Sequence, residues 1–296
     1  MATLRDIRNK ISAVKKTQQI TKAMNMVSAA KLRGAQARME GFRPYAQAFS
    51  MMLGNMAGRV EPDIHPFFQK TEPVTRVGLV LMTADRGLCG SFNVNLINAA
   101  YKFIRQEAAE DIEVAVTCVG RKGRDFFRPR KIEMAAQYVD VWNKFDFSNA
   151  VTVAREIMSI FTTGEVQEVH LIYSTFVNMA IQRPKLVQLL PIQQAEAEAE
   201  AEAGATMEYL FEPPMEQFLE FLLPKYINVL VYHGFLENSA SEHAARMTAM
   251  DNAQSNCKEM ITQLTQVMNK ARQAAITTEL MDIVGGLRLY EEFLDT

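Results

Sequence analysis

The chain has 296 residues, a formal net charge of −2 and 22% charged residues, which is ordinary for a globular protein. No apolar run reaches about eighteen residues, so the sequence predicts no transmembrane helix. Cys89, Cys118 and Cys257 lie far apart and match no disulfide or metal-binding spacing, and the N-terminus shows no signal-peptide core. We therefore expect reduced thiols, no metal ion and a cytosolic chain.

Positive charge is concentrated near the N-terminus. Residues 1–43 contain ten Lys or Arg residues against only Asp6 and Glu40. A basic helix of this kind is either a solvated face or the binding surface for an acidic partner, such as nucleic acid, anionic lipid or an acidic protein. Charge alone leaves these alternatives open.

The N-terminal stretch predicts one long helix from about Leu4 into the fifties. Its apolar residues recur at steps of three and four, the spacing of a seam that is buried against another helix. The predicted seam consists of Leu4, Ile7, Ile11 and Val14 and, after a one-residue slip, of Ile20, Met24 and Val27.

The hydrophobic period changes in the middle of the chain. Short apolar runs predict central strands at 77–83, 113–119 and 169–173, with helices at 93–110, 120–127 and 148–162 between them. Residues 176–181 and 186–190 are interpreted as further strands at a hairpin-like edge. Such alternation of strands and helices indicates an α/β domain.

A low-complexity tract of alternating Ala and Glu follows, from Ala195 to Ala203. Its period of two gives a helix no apolar face, so we interpret it as a solvated acidic linker, helical or disordered.

The C-terminal part predicts a second long helix from Met215 onward, with Pro224 at a kink or an N-terminal position. The small and polar residues at 240–253 and 272–280 indicate either a solvated face or a helix that other protein approaches on several sides. Its seam also follows steps of four and three, and this seam needs a partner, for which the N-terminal helix is the simplest choice. The seam residues are Leu236, Ala240, His243, Met247, Met250, Gln254, Cys257, Ile261, Leu264, Met268, Ala271 and Ala275.

No sequence motif assembles an active site. The turn Asp85–Gly90 and the basic stretch Gly120–Arg124 both follow strands, where an α/β protein places phosphate loops, but neither has a complete phosphate-loop signature. We favour tight strand-to-helix turns at both places. The four histidines are scattered and no pair has metal-ligand spacing. We expect no catalytic residue, no cofactor and no metal site.

Longer motifs resemble the gamma subunit of F-type ATP synthases. They are Ile20–Leu32 (ITKAMNMVSAAKL) with Arg43-Pro44-Tyr45, Asp85–Gly90 (DRGLCG), Glu237–Ala253 (ENSASEHAARMTAMDNA) and Asn269–Leu280 (NKARQAAITTEL) followed by Ile283–Gly286. The resemblance spans the whole chain in family order. It implies a non-catalytic rotor of the central stalk that couples proton flow through the membrane c-ring to ATP synthesis at alpha and beta subunits.

The resemblance also implies the architecture: an α/β protein with a long antiparallel coiled coil of N- and C-terminal helices and an inserted Rossmann-like α/β domain. We expect an N-terminal coiled-coil helix at 1–60, the Rossmann-like domain at 74–192, the acidic linker and re-entry at 193–214 and the C-terminal coiled-coil helix at 215–290. The Ala-Glu tract is not part of the family pattern.

Two sets of partner-binding residues are implied by the resemblance. The set expected to face acidic catch loops of the beta subunits is Lys22, Met24, Arg246 and Gln273. The set expected at an upper bearing inside the alpha–beta hexamer is Arg272, Thr277, Glu279 and Ile283. Further expected partners are the epsilon subunit and the c-ring, near Tyr209–Glu212, and the expected location is peripheral, on the cytoplasmic face of a bacterial inner membrane.

Two other functions remain as alternatives. One is a nucleotide-binding α/β protein with helical extensions. The other is a basic coiled coil that binds nucleic acid, which the acidic Ala-Glu tract and the lack of interleaved aromatic residues in the first helix disfavour.

Overall fold

The computed structural model describes residues 4–57, 64–143, 145–192 and 215–294. The Ala-Glu tract at 195–203 and residues 209–212 lie outside this described part. The chain divides into two compact units. The first unit comprises Met1–Val27 and Ala249–Thr296, and the second comprises Ser28–Thr248.

A five-stranded sheet forms the centre of the second unit. Its strands are β1 (Arg76–Met82), β2 (Glu113–Val119), β3 (Met134–Tyr138), β4 (Glu168–Phe176) and β5 (Gln182–Leu190). The strand order is β3-β2-β1-β4-β5, in which β1 to β4 are parallel and β5 runs antiparallel to β4. Every residue of β1 after Arg76 is buried, which confirms the predicted central strand with both faces covered.

Helices cover both faces of this sheet. The shorter ones are α2 (Phe92–Ala109), α3 (Arg121–Phe127) and α4 (Phe147–Thr162), with 3-10 turns at Pro66–Phe68, Arg128–Arg130 and Val141–Asn143. On one face, α2 and α3 pack Leu96 and Phe127 against Leu79 of β1. On the other face, α4 packs Ile157 into a cluster with Leu171 of β4 and with parts of both long helices.

The two long helices are α1 (Leu4–Ala57) and α5 (Met215–Leu294). The N-terminal half of α1 shares the first unit with the C-terminal half of α5, and the remaining halves share the second unit. The two helices therefore pair in opposite directions. In the second unit, for example, the Phe42 ring of α1 packs edge-on against Tyr232 of α5, with centroids 4.8 Å apart. The predicted fold class, an antiparallel coiled coil with an inserted Rossmann-like α/β domain, is confirmed.

The predicted seam of α5 is also confirmed. Each of its residues from Leu236 to Ala275 is buried or half-buried. Large apolar residues that lie off the seam, such as Met260 and Val267, are about half exposed. The heptad period therefore identifies the contact side of α5 even where its residues are small or polar.

The predicted slip in the α1 seam is wrong. Ile20 is 60% exposed and Val27 is 57% exposed, while Met24 is half-buried. The buried line instead continues past Val14 without a slip, at the same steps of four and three, through polar residues. These residues are Gln18, Thr21, Asn25 and Ser28. The geometry of helix pairing fixes the contact side, so polar residues enter the seam when the period places them there.

Two further details differ from the sequence prediction. The predicted strand at 176–181 is wrong beyond Phe176, because Val177–Ile181 form the hairpin turn between β4 and β5. The Asn178 side chain accepts hydrogen bonds from the N–H groups of Ala180 and Ile181, at 2.9 and 2.8 Å, and this fixes the turn. The sequence also failed to predict β3, a short, half-buried strand that pairs with β2 and contains no continuous apolar run.

Candidate functional site

Most of the predicted partner-binding residues lie on solvent-facing surfaces of the first unit. Lys22 is exposed and Met24 is half-buried on α1. The remaining members are all exposed on α5: Arg272, Gln273, Thr277, Glu279 and Ile283. The Thr277 hydroxyl donates to the carbonyl of Gln273 at 2.9 Å. The structure assigns no partner-binding role to any of these seven residues.

Large apolar side chains are also exposed in the same unit. They include Ile20, Met26, Val27, Met260, Val267, Ile276, Leu280, Met281, Ile283 and Val284, all between 46% and 67% exposed. A monomeric protein rarely exposes so many large apolar side chains along its helices. This surface has the composition of one that other protein covers.

Arg246 has a different environment from the other predicted residues. Its side chain is 10% exposed and forms an ion pair with Glu242, one turn earlier on α5, at 2.7 Å. The same guanidinium donates to the carbonyls of Arg86 and Gly87 at 3.3 to 3.4 Å. The structure therefore brings Arg246 together with the turn Asp85–Gly90.

That turn uses its own polar groups internally. The Asn93 side chain accepts from Ala84 N–H at 2.9 Å and donates to the Cys89 sulfur at 3.1 Å. Asp85 accepts the Arg121 N–H at 2.9 Å. Phosphate loops direct N–H groups toward their ligand, whereas this turn directs two carbonyls toward a cation. The geometry favours a strand-to-helix turn that is held by α5 over a nucleotide site.

A row of polar side chains on α5 binds the backbone around β4, and sequence analysis did not identify it. Asn238 accepts the Ser174 N–H at 3.1 Å, and the Ser241 hydroxyl donates to the Ser174 carbonyl at 3.0 Å. Glu237 accepts the Phe176 N–H at 2.8 Å. A signal was available, because five of the six residues of Glu237–Glu242 are polar within a stretch of α5 that is buried on all sides.

Burial controls the titration of several groups near this row. It raises the pKa of Glu242, although the Arg246 guanidinium opposes the shift. Burial and, after it, the positive charges of Arg246, Lys31 and Arg38 together lower the pKa of His243 to about 4. The His243 imidazole is therefore neutral at neutral pH.

The buried cysteines are poor nucleophiles. Burial raises the pKa of Cys118 to about 12 and also raises the pKa of Cys89. Thiolates are the reactive form, so both side chains serve packing. Among the described residues, no three His, Cys, Asp or Glu side chains are grouped so that they could hold a metal ion. No described helix has the length and apolar content needed to cross a membrane.

Comparison with known proteins agrees with this architecture. The family model described as ATP synthase matches residues 3–288. The ATP synthase gamma chain of Maridesulfovibrio salexigens is 49% identical over 286 residues, which cover 97% of this chain and 98% of the relative. That of Syntrophobacter fumaroxidans is 51% identical over 288 residues, with the same coverage of both chains.

Solved structures show the same fold. A chain from the central stalk and c-ring structure of the Tetrahymena thermophila mitochondrial ATP synthase superposes with a TM-score of 0.59 at 27% identity, covering 79% of this chain and 99% of that chain. A chain from the rotor structure of the Euglena gracilis enzyme gives a TM-score of 0.64 at 20% identity, covering 92% and 98%, and supports the fold alone.

These observations define a class of protein: two long antiparallel terminal helices with a Rossmann-like α/β domain inserted between them in the chain. Within that class, the chain belongs to the ATP synthase gamma chain family. The resemblance seen in the sequence motifs is confirmed.

Proposed function

We propose that the chain is the central-stalk rotor subunit of an F-type ATP synthase. It couples proton flow through a membrane c-ring to ATP synthesis on alpha and beta subunits, and it carries no catalytic site of its own. The observation that carries this proposal is the antiparallel pairing of α1 and α5, in a chain that matches gamma chains over nearly their whole length.

An asymmetric shaft suits this role. A rotor shifts a neighbouring subunit between conformations only if it contacts those conformations differently. The two helices differ in sequence within the first unit, so each helix offers a different surface. The exposed apolar residues of that unit supply contact area, and Lys22, Arg272 and Glu279 supply charged groups.

The partner-binding residues are assigned roles as part of the proposal. Lys22, Met24 and Gln273 face acidic loops of the beta subunits, and Arg272, Thr277, Glu279 and Ile283 contact the upper bearing of the hexamer. Arg246 belongs to the first set through the turn that it holds. Because its guanidinium is occupied by Glu242 and by the carbonyls of Arg86 and Gly87, it presents the turn to a partner.

The remaining assignments concern the other partners and the location. The epsilon subunit and the c-ring bind the second unit. The proposed parts of the chain are the N-terminal coiled-coil helix at 1–60, the Rossmann-like domain at 74–192, the acidic linker and re-entry at 193–214 and the C-terminal coiled-coil helix at 215–290. The complex places the chain peripherally at the cytoplasmic face of a bacterial inner membrane.

Reconstitution tests the proposal. The purified chain alone is expected to hydrolyse no ATP, and its addition to alpha and beta subunits restores ATP hydrolysis. Adding the complex to membranes that contain the c-ring restores ATP-driven proton transport. Lys22→Glu weakens this activity, because it places like charge against acidic loops. The matched control is Lys102→Glu on the exposed face of α2.

Two results would contradict the proposal. One is enzyme-like ATP hydrolysis by the chain alone, which would favour the nucleotide-binding alternative. The other is a failure of the wild-type chain to restore hydrolysis to alpha and beta subunits. Equal loss in Lys22→Glu and Lys102→Glu would contradict the assignment of Lys22.

A further inference from the structure

The contact between α5 and the sheet combines two kinds of interaction. Residues 234–242 of α5 are all buried within the second unit. Part of this contact is apolar: a Cβ on Gly234 would lie 3.2 Å from a Leu171 methyl group, and Phe235 and Ala240 are fully buried. Apolar packing is non-directional, so by itself it does not specify which backbone groups of the sheet bond to the helix.

Directional hydrogen bonds run alongside this apolar contact. We name the polar junction as the set Glu237, Asn238, Ser241, Arg246 and Thr248, each of which bonds backbone atoms outside α5. Thr248 donates to the carbonyl of Met179 in the hairpin turn at 3.0 Å. The junction extends over about three helical turns, so it fixes the angle of α5 at several levels.

The junction also replaces a missing strand. β1 pairs with β4 only as far as Ile172, so on that side the Ser174 N–H and carbonyl lack a strand partner. Asn238 and Ser241 form hydrogen bonds with both of these groups, and Ser174 is 2% exposed. If α5 rotates about its axis by one residue position, these side chains turn away from Ser174 by about 100°. Two buried backbone groups would then be left without hydrogen bonds, which is costly.

We infer that the polar junction sets the rotational register of α5 against the sheet and passes torque between the shaft and the α/β domain. Its members are positioning residues, because they act through the backbone of β4 and the flanking turns. This inference rests on the proposed rotor function. A junction that only stabilises the fold would give a different result in the experiment below.

The test compares two variants of similar instability. Asn238→Leu with Ser241→Ala removes both bonds to Ser174 and keeps the helix. Leu79→Ala, in a fully buried position of β1 on the opposite sheet face, is the control because it loosens the core and leaves the junction intact. Each is assembled into the complete membrane-bound complex. The readout is the amount of protons transported per ATP hydrolysed, at equal amounts of assembled complex.

The expected result is a lower ratio in the junction variant only. Loss of a buried bond changes a conformational equilibrium by roughly 5- to 150-fold, so a rotated register becomes populated and the ratio falls by at least about twofold. In Leu79→Ala, ATP hydrolysis and proton transport fall together, so the number of protons transported per ATP is unchanged. An unchanged ratio in the junction variant, or the same drop in the control, would overturn the inference.

Two further arms keep the outcome interpretable. If the double variant does not assemble, Ser241→Ala alone carries the test, with a smaller drop expected and the same contrary result. If the wild-type chain fails to restore hydrolysis to alpha and beta subunits, the rotor function itself is wrong. If the wild-type chain restores coupling and the junction variant is also fully coupled, only the torque role of the junction is refuted.

Discussion

Gly120→Ala is expected to destabilise the second unit strongly, because two features of the structure oppose a side chain there. Gly120 connects β2 to α3 with a φ of +110°, a conformation that L residues rarely adopt. A Cβ at this position would lie 2.0 Å from the Thr83 carbonyl oxygen, which belongs to rigid backbone. The neighbouring backbone bonds, Thr83 N–H to Val119 and Gly120 N–H to Tyr138, are both 2.7 Å long.

The magnitude follows from these terms. The backbone strain costs about 1–3 kcal/mol. Relief of the clash separates β1 from β2 at this point and weakens two hydrogen bonds, each worth about 0.5–1.5 kcal/mol. We therefore expect a loss of roughly 4 kcal/mol in the free energy of unfolding. Gly164→Ala is the matched control: its φ is +77° but no atom lies within 4 Å of the added Cβ, so we expect only about 1–2 kcal/mol.

Urea unfolding followed by fluorescence measures the difference. Trp142 is the single tryptophan of the chain and lies in the second unit, with its ring 5.1 Å from Phe235. Its emission therefore reports this unit directly. If Gly120→Ala and Gly164→Ala lose the same stability within about 1 kcal/mol, the close approach of Gly120 to Thr83 does not exist as described.

Three further predictions test the helices. Ile11→Ala in the α1 seam is expected to cost about 2–4 kcal/mol of unfolding free energy, and Ile20→Ala, at an exposed position, close to none. Urea unfolding followed by circular dichroism measures both, and a larger loss in Ile20→Ala would support the seam with the one-residue slip. Leu264→Asp buries a charge in the α5 seam and is expected to lower helical content and assembly, whereas the exposed neighbour Gln263→Asp leaves both intact; equal effects would refute the pairing. The folded pKa of His243 lies below its unfolded value of 6.5, so its stabilising contribution is present above pH 6.5 and is lost as the pH falls toward 4. Wild type is therefore expected to lose roughly 3 kcal/mol more than His243→Gln between pH 7 and pH 4 in urea titrations, and parallel pH profiles would contradict this environment.

The sequence predicted those features that depend on local periodicity. The seam of α5 was identified to its last residue, because a heptad repeat records which side of a helix is covered. The strands β1, β2 and β4 were identified because apolar runs such as that of β1 are buried on both faces of a parallel sheet. The seam of α1 was followed only while its residues were apolar, and it was lost where Gln18 and Thr21 take up buried positions.

Features that depend on distant residues were not accessible in this way. Asn238 and Ser241 bond the backbone of Ser174, more than sixty positions earlier in the chain. Nothing in the local pattern of α5 indicates which strand end lacks a partner. Arg246 was identified through resemblance, but its burial against Arg86 and Gly87 became evident only from the fold. Residues with this many buried polar contacts are the ones that sequence patterns describe least well.

Rotation of the chain itself tests the central claim most directly. Lys102→Cys on the exposed face of α2, in a Cys257→Ser background, offers an accessible thiol, because Cys89 and Cys118 are buried. A probe on this thiol is followed in single complexes that are held to a surface through their beta subunits. The account predicts that added ATP drives rotation of the probe in one direction. ATP hydrolysis by the same complexes with a stationary probe would contradict it.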